Sequence, residues 1–362
     1  MDSKCPSTIA SRQRLFRRSY SGALLLFTAF FAACTAPPKF PTPVVAPSPA
    51  SAELADACER FRVERGIVGL SVAILRDGRV VFERAFGAAD RERALPATPA
   101  TLYRLASISK PVTATIALQL VEEGVLDLDR DLRDYAPHLR ERLPAMTLAD
   151  VLSHTSGLRH YRDDRVDNST THRTTHESLD LFLSDPLLFA PRAKYSYSTH
   201  AYTVVADVLE HVTGRSYVDL VRERVRDRGL PTLDVEVLAD SKPARSALYS
   251  RVESGPAKLS TPREDLSWKY AGGGLESTAL DLARFGDAVR TGALVSPASR
   301  NRMWRATTLA DGTTSNYGLG WRLEPARGEV FHTGSQQGAN GCLVLVPKDA
   351  LVIAILTNTL DG

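Results

Sequence analysis

The chain has 362 residues, 43% hydrophobic and 24% charged, with 23 Gly and 21 Pro, a composition that suits an ordinary globular protein and excludes a disordered or collagen-like one. Its net charge of +3 gathers at the N-terminus, where Lys4, Arg12, Arg14, Arg17 and Arg18 face Asp2 alone within residues 1–33. The remainder is close to neutral, and the arginines of Val221 to Arg228 alternate with acids like a solvated helix face, so there is no electrostatic case for a nucleic-acid partner.

Behind the basic segment runs Ala23 to Ala33, apolar but too short for the roughly 20 residues that span a bilayer. Basic residues, an apolar run and small residues in that order read as a signal peptide over residues 1–33. Phe31-Ala32-Ala33-Cys34 resembles the bacterial lipoprotein cleavage box, with Phe31 where Leu is usual. That resemblance implies a lipid on Cys34 and an exported protein anchored to the membrane, facing the periplasm or the cell exterior. The proline-rich stretch that follows (Pro37, Pro38, Pro41, Pro43, Pro47, Pro49) predicts a stiff spacer over 34–52. In an oxidising compartment Cys58 and Cys342 become candidates for a disulfide, which their sequence separation neither supports nor opposes.

Glu53 to Arg65 has helical spacing, with Leu54, Ala57, Cys58 and Phe61 on one face. Two apolar runs, Gly69–Leu75 and Val80–Phe86, flank Arg76-Asp77-Gly78-Arg79, and Asp-Gly between such runs predicts a hairpin. Helical patterns follow at Val112–Glu123, Tyr202–His211, Tyr217–Val225 and Leu280–Val289. His160 to Glu177 is polar and reads as a mobile loop beside a site. Near the C-terminus, Cys342–Val346 and Leu351–Leu356 form two further apolar strands joined through Pro347-Lys348-Asp349. The expected fold is α+β, an α/β sandwich: an antiparallel sheet from residues 53–105 and 320–362, flanked by helices, with a mostly helical insertion over about 106–319.

Ser107 and Lys110 stand three apart, one helical turn along the same face, so a hydroxyl and an amine can exchange a proton. Ser107 is the only serine three residues before any lysine. Pro111 is tolerated in a first helical turn and not deeper, so the helix starts near Ser107 and its positive end faces that serine. A plain alternative is a helix cap at Ser107 and a solvated amine at Lys110. Two later segments weigh against it: Tyr195-Ser196-Tyr197-Ser198-Thr199, and His332-Thr333-Gly334-Ser335 beside the C-terminal strands.

The order Ser-x-x-Lys, Tyr-Ser-Thr, His-Thr-Gly resembles the three motifs of the penicillin-recognising serine hydrolases, which include class C β-lactamases, D-alanyl-D-alanine peptidases and related esterases. The likeness extends through Leu102 to Lys110, Leu152 to Leu158 and Ala271 to Thr278, covering about residues 53 to 358. Ser153 to Tyr161, Asp185 to Phe189 and Trp268 to Gly274 are similar to the mitochondrial serine β-lactamase-like subgroup and its bacterial relatives. The resemblance implies a β-lactamase/transpeptidase-like fold and acyl transfer without a cofactor or metal. Ser107 would attack a small-molecule or peptide acyl substrate, and Lys110 and Tyr197 would share its proton. An adjacent ammonium would favour the Tyr197 phenolate. The backbone N–H groups of Ser107 and Ser335 would hold the oxyanion, and Thr199, His332, Thr333, Gly334 and Ser335 would bind substrate.

Two departures bear on that substrate. Thr199 stands where many penicillin-binding members have Asn, and His332 where β-lactamases have Lys. A histidine is mostly neutral at pH 7 and charges only in acid, so an ester or peptide lacking a carboxylate is expected ahead of a β-lactam or D-Ala-D-Ala. The chain has no Gly-x-Ser-x-Gly elbow, His-Glu-x-x-His or phosphate-binding glycine loop. His172 and His176, four apart, read as loop residues rather than zinc ligands, and His154 as a hydrogen-bonded helix-end residue near the site. A rival reading keeps the fold as a non-catalytic scaffold, against which the intact Ser107, Lys110 and Tyr197 weigh. The family usually adds a helix after the last strand, whereas this sequence stops at Leu360-Asp361-Gly362, so Leu351, Ile353 and Ile355 are expected to expose one face unless another element or a partner covers it, the alternatives being a truncated sequence or an unstable protein.

Overall fold

The computed structural model describes residues 49–162 and 171–360. The expected signal peptide over 1–33, Cys34, the expected spacer up to residue 48 and the middle of the polar loop at 163–170 lie outside the described residues.

The Asp-Gly turn forms as its chemistry dictates, with φ of 51° at Asp77 and 72° at Gly78, the twist a tight hairpin needs. It joins β1 (Gly69–Arg76) to β2 (Arg79–Asp90), which continues to β3 (Leu95–Pro96). From the far end of the chain come β4 (Arg322–Glu324), β5 (Glu329–Gln336), β6 (Ala339–Val346) and β7 (Leu351–Thr357). All seven form one antiparallel sheet in the order β4-β5-β6-β7-β1-β2-β3. The two ends of the body meet where β1 pairs β7, from Leu70↔Thr357 to Arg76↔Leu351.

Alternation sorts the sheet's side chains onto two faces. Ala73, Leu75, Leu343, Leu345, Val352, Ala354 and Leu356 join the main core. On the other face Leu70, Val72, Ile74, Phe82, Phe86 and Ile355 pack under helix α1 (Pro49–Glu64) through Leu54, Ala55 and Cys58. This helix corrects the spacer reading of 34–52: it begins at Pro49, because proline in a first helical turn gives up only an N–H that needs no partner. It also reaches Ile355 on the face of Leu351, Ile353 and Ile355, all three of which are half-buried. Cys58 and Cys342 are free thiols, both raised by burial.

Between the sheet-forming ends lie α2 (Ser109–Glu122), α3 (Leu148–Leu152), α4 (Thr175–Ser178), α5 (Thr199–Thr213), α6 (Tyr217–Arg224), α7 (Tyr270–Gly273) and α8 (Ala279–Thr291). Helix α2 is buried on nearly every side from Ser109 to Leu118, the pattern of a helix enclosed by its neighbours. It starts three residues before the predicted Val112, after a 3-10 turn at Ala106–Ile108, which leaves Pro111 in the first turn. Helix α5 starts at Thr199 rather than Tyr202 because the Ser198 hydroxyl accepts the Ala201 N–H and caps it. These two early starts put Ser107 and Thr199 at adjoining helix ends.

Candidate active site

Ser107 sits in the tight turn between a short strand, Tyr103–Arg104, and α2. The strand pairs with Glu276 and Ser277, and Arg104 is anchored by a fully buried ion pair to Glu236 at 2.8 Å. Burial alone would raise the Glu236 carboxyl, yet Arg104 and Arg263 hold it at about 2. Arg104 also donates to Gln337 Oε1 at 3.1 Å, tying the strand before Ser107 to the turn between β5 and β6. Ala106 adopts φ of 49°, a left-handed conformation that an alanine holds only when its surroundings enforce it.

Part of that enforcement comes from β5. A Cβ on Gly334 would lie 2.2 Å from the Leu105 carbonyl oxygen and 3.2 Å from the Ser107 nitrogen, so only glycine lets the strand pass this close to the serine's backbone. Pairing between β4 and β5 reaches only Arg322↔Phe331. The rest of β5 therefore presents an edge to the site, and Ser335 and Gln336 line it.

Lys110 is completely buried. Its Nζ lies 3.1 Å from Ser107 Oγ, 3.1 Å from Thr199 Oγ1 and 2.6 Å from the Gly272 carbonyl oxygen. It also stands 4.7 Å from the centre of the Tyr197 ring. One turn along α2, Thr113 donates to the Ala271 carbonyl at 2.7 Å, so the same helix face fixes α7. Gly272 permits the approach of α5, since a Cβ there would meet Thr199 Cγ2 at 2.6 Å.

Burial drives the Lys110 amine well below its ordinary value, and the nearby Lys269 and Arg322 cations push the same way. Burial pushes the Tyr197 phenol far above its usual range, against the pull of Ser107 and Arg322. The sequence expectation of a phenolate favoured by an ammonium is thus reversed in direction: burial works against charge on the amine and on the phenol alike. A neutral amine has two N–H groups and one lone pair. In that form, N–H groups donated to the Gly272 carbonyl and to Thr199 Oγ1 would leave the lone pair to accept the Ser107 hydroxyl proton.

His332 also needs correction as a substrate-binding residue. It is fully buried, with Nδ1 2.7 Å from the Thr333 carbonyl oxygen and Nε2 3.0 Å from the Tyr317 hydroxyl. Both ring nitrogens are engaged away from the cleft, and burial together with Lys110 holds the ring well below its ordinary value, which removes the expected charging in mild acid. His154 follows α3 with φ of 62°. Its Nδ1 accepts the Ser198 N–H at 3.2 Å, and its ring centre lies 4.3 Å from that of Tyr197. It is a buried support for the tyrosine.

The cleft has a volume of about 390 Å³ and is lined by Ser107, Thr199 and Ser335, with His160, Tyr161, Glu264, Lys269, Gln336 and Gln337 among the rest of its wall. Thr333 is exposed and stands outside that lining. Lys269 falls within the family-like stretch Trp268 to Gly274. It lies 4.7 Å from the centre of the Trp268 ring and 5.5 Å from that of Tyr161, and no local pattern singles it out. His172 and His176 separate: His172 lies 4.0 Å from Asp265, whereas His176 contacts Asp207.

The sequence profile of the Beta-lactamase family matches residues 54–362. The chain is 26% identical over 401 residues to the mitochondrial serine beta-lactamase-like protein LACTB of Bos taurus, covering 81% of this chain and 71% of that protein. To Esterase EstB of Burkholderia gladioli it is 29% identical over 342 residues, covering 82% of this chain and 87% of the esterase. Among solved structures, D-amino acid amidase from Ochrobactrum anthropi SV3 superposes with a TM-score of 0.75 at 22% identity, covering 86% of this chain and 92% of that one.

Proposed function

The chain belongs to the beta-lactamase family and has the beta-lactamase/transpeptidase-like fold, and from that premise we propose that it is an exported serine hydrolase acting through an acyl-enzyme on ester or amide substrates. The observation that carries this reading is the completely buried Lys110 amine 3.1 Å from Ser107 Oγ. Lys110 takes the Ser107 proton as Oγ bonds to the substrate carbonyl carbon. The carbonyl electrons pass to oxygen, which sits at the N–H groups of Ser107 and Ser335. Collapse expels the alcohol or amine, which takes the proton from Lys110, directly or through the Tyr197 hydroxyl. Water then attacks the acyl carbon, gives its proton to Lys110, and Ser107 leaves with a proton restored.

The substrate preference follows from the two departures. Lys is replaced at His332 by a neutral buried ring, and Thr199 Oγ1 is engaged with Lys110, so neither offers a dedicated grip for a β-lactam's carboxylate or acylamino group. In a panel of p-nitrophenyl esters, amino-acid amides and a chromogenic cephalosporin, the esters are expected to show the highest kcat/KM and the cephalosporin the lowest. A cephalosporin turned over faster than every ester would replace this reading with that of a true β-lactamase. Export and lipidation rest on the order of residues 1–34 alone. On expression in a bacterial host, the mature N-terminal peptide should begin at Cys34 and carry the mass of a diacylglyceryl group; an intact Met1 would refute both.

A further inference from the structure

A second cluster of chemically competent side chains surrounds Asp207, two helical turns along α5 from Thr199 and outside the lining of the cleft. His138 comes from the 3-10 turn Pro137–Leu139, His176 from α4, and His211 lies one turn beyond Asp207 on α5. The His138 Nε2 atom is 2.6 Å from Asp207 Oδ2, and His176 Nδ1 is 3.2 Å from Oδ1. These ligand atoms all lie within 4.8 Å of one another. The ring of His138 is centred 5.1 Å from that of His176 and 5.3 Å from that of His211.

The carboxylate is nearly buried, with 6% of its side chain exposed, while His138 and His176 are 29% and 63% exposed. Such a site is reachable from solvent but rigid at its base. Hydrogen bonds to the carboxylate already orient two imidazoles so that one nitrogen of each points at a common volume. A third imidazole stands beside them. Two neutral imidazole nitrogens and one carboxylate oxygen supply three of the four positions that zinc takes, leaving the fourth to His211 or water. Nitrogen donors in this number disfavour calcium and magnesium, which take oxygen.

We propose that His138, His176 and Asp207 form a binding site for a divalent transition-metal ion, zinc in the first instance. The metal would replace the two hydrogen bonds to the carboxylate and fasten three separate segments, Pro137–Leu139, α4 and α5. The distances require a contraction, since zinc bonds of about 2.0–2.2 Å bring ligand atoms nearer than 4.8 Å, and the exposed His176 side chain has room to supply it. The inference is independent of the hydrolase reading.

The test uses the full-length chain, stripped with chelator, titrated calorimetrically with Zn2+ and by absorbance with Co2+. One equivalent of each is expected to bind, with the visible d–d bands of a four-coordinate cobalt centre. His138→Gln and Asp207→Asn should each weaken Zn2+ binding at least ~10-fold and abolish the cobalt bands, whereas His172→Gln should change neither. His138 is partly exposed, so its variant tests the site even where Asp207→Asn disturbs α5. Absence of saturable binding in the wild type, or equal binding by wild type, His138→Gln and Asp207→Asn, would overturn the proposal.

Discussion

Ser107→Ala is expected to lower kcat/KM by roughly 10^4- to 10^6-fold and to eliminate labelling by a fluorophosphonate probe, while leaving the fold intact. The serine is partly exposed in the cleft and its hydroxyl contacts Lys110 rather than the apolar core, so its loss removes little packing. Its backbone is held independently, by Gly334 against the Leu105–Ser107 turn and by Arg104 on Glu236. Intact-protein mass spectrometry of the labelled wild type should show one adduct, mapped to the peptide containing Ser107, with thermal melts of the two proteins nearly coincident. A folded wild type that takes no label would sink the hydrolase reading and promote the scaffold. Labelling that persists in the variant would move the nucleophile elsewhere.

Replacing Lys110 by methionine should be as damaging to acylation and yet favourable to the fold. The loss of a general base beside the nucleophile is expected to cost at least ~10^3-fold in kcat/KM. Stability responds with the opposite sign. The folded value of Lys110 lies well below 10.5, and the unfolded chain titrates near its ordinary value of about 10.4. Between the two, the unfolded state binds one more proton, so stability is present above the unfolded value and is lost as pH falls through this window to the folded value. Methionine does not titrate, so Lys110→Met escapes that loss. It also forfeits the bond to Gly272, but that penalty has no dependence on pH arising from Lys110. In melts compared from pH 10 downward, the variant's stability relative to wild type should therefore rise until the folded value of Lys110 is reached. Wild-type kcat/KM should hold level through this window and fall only where the pH reaches the folded value of Lys110 and the amine gains its proton. A stability difference that stays flat with pH, or a rate that falls as Lys110 deprotonates, would contradict the assignment of this amine as the base.

Much of the architecture is legible in local patterns. Asp77-Gly78 between two apolar runs specifies the hairpin, and the short apolar runs around Leu343 and Ile353, joined through Pro347-Lys348-Asp349, specify two more strands, because run length and bounding turn residues are visible in any short window. Where helices begin was less legible. The start of α5 depends on whether Ser198 caps or merely precedes the helix, and that of α1 on whether Pro49 opens a helix or extends a spacer. Each choice turns on which residues pack against the segment, which no local window contains.

The candidate site divides in the same way. Sequence alone determined that Ser107 and Lys110 are neighbours, since three residues of helical spacing put them together whatever the rest of the fold does, and Pro111 fixes where that helix starts. Tyr197, Thr199 and the His332–Ser335 segment were reachable only through their resemblance to known motifs. Tertiary structure decided the proton affinities: it buried Lys110 and His332 completely, set Lys269 and Arg322 near enough to depress the amine, and raised the Tyr197 phenol by burial. It also brought His138, His176 and Asp207 around one point from three separate segments. Proton affinity and ligand geometry both depend on solvent exclusion and on charges distant along the chain, and these exist only once the chain has folded.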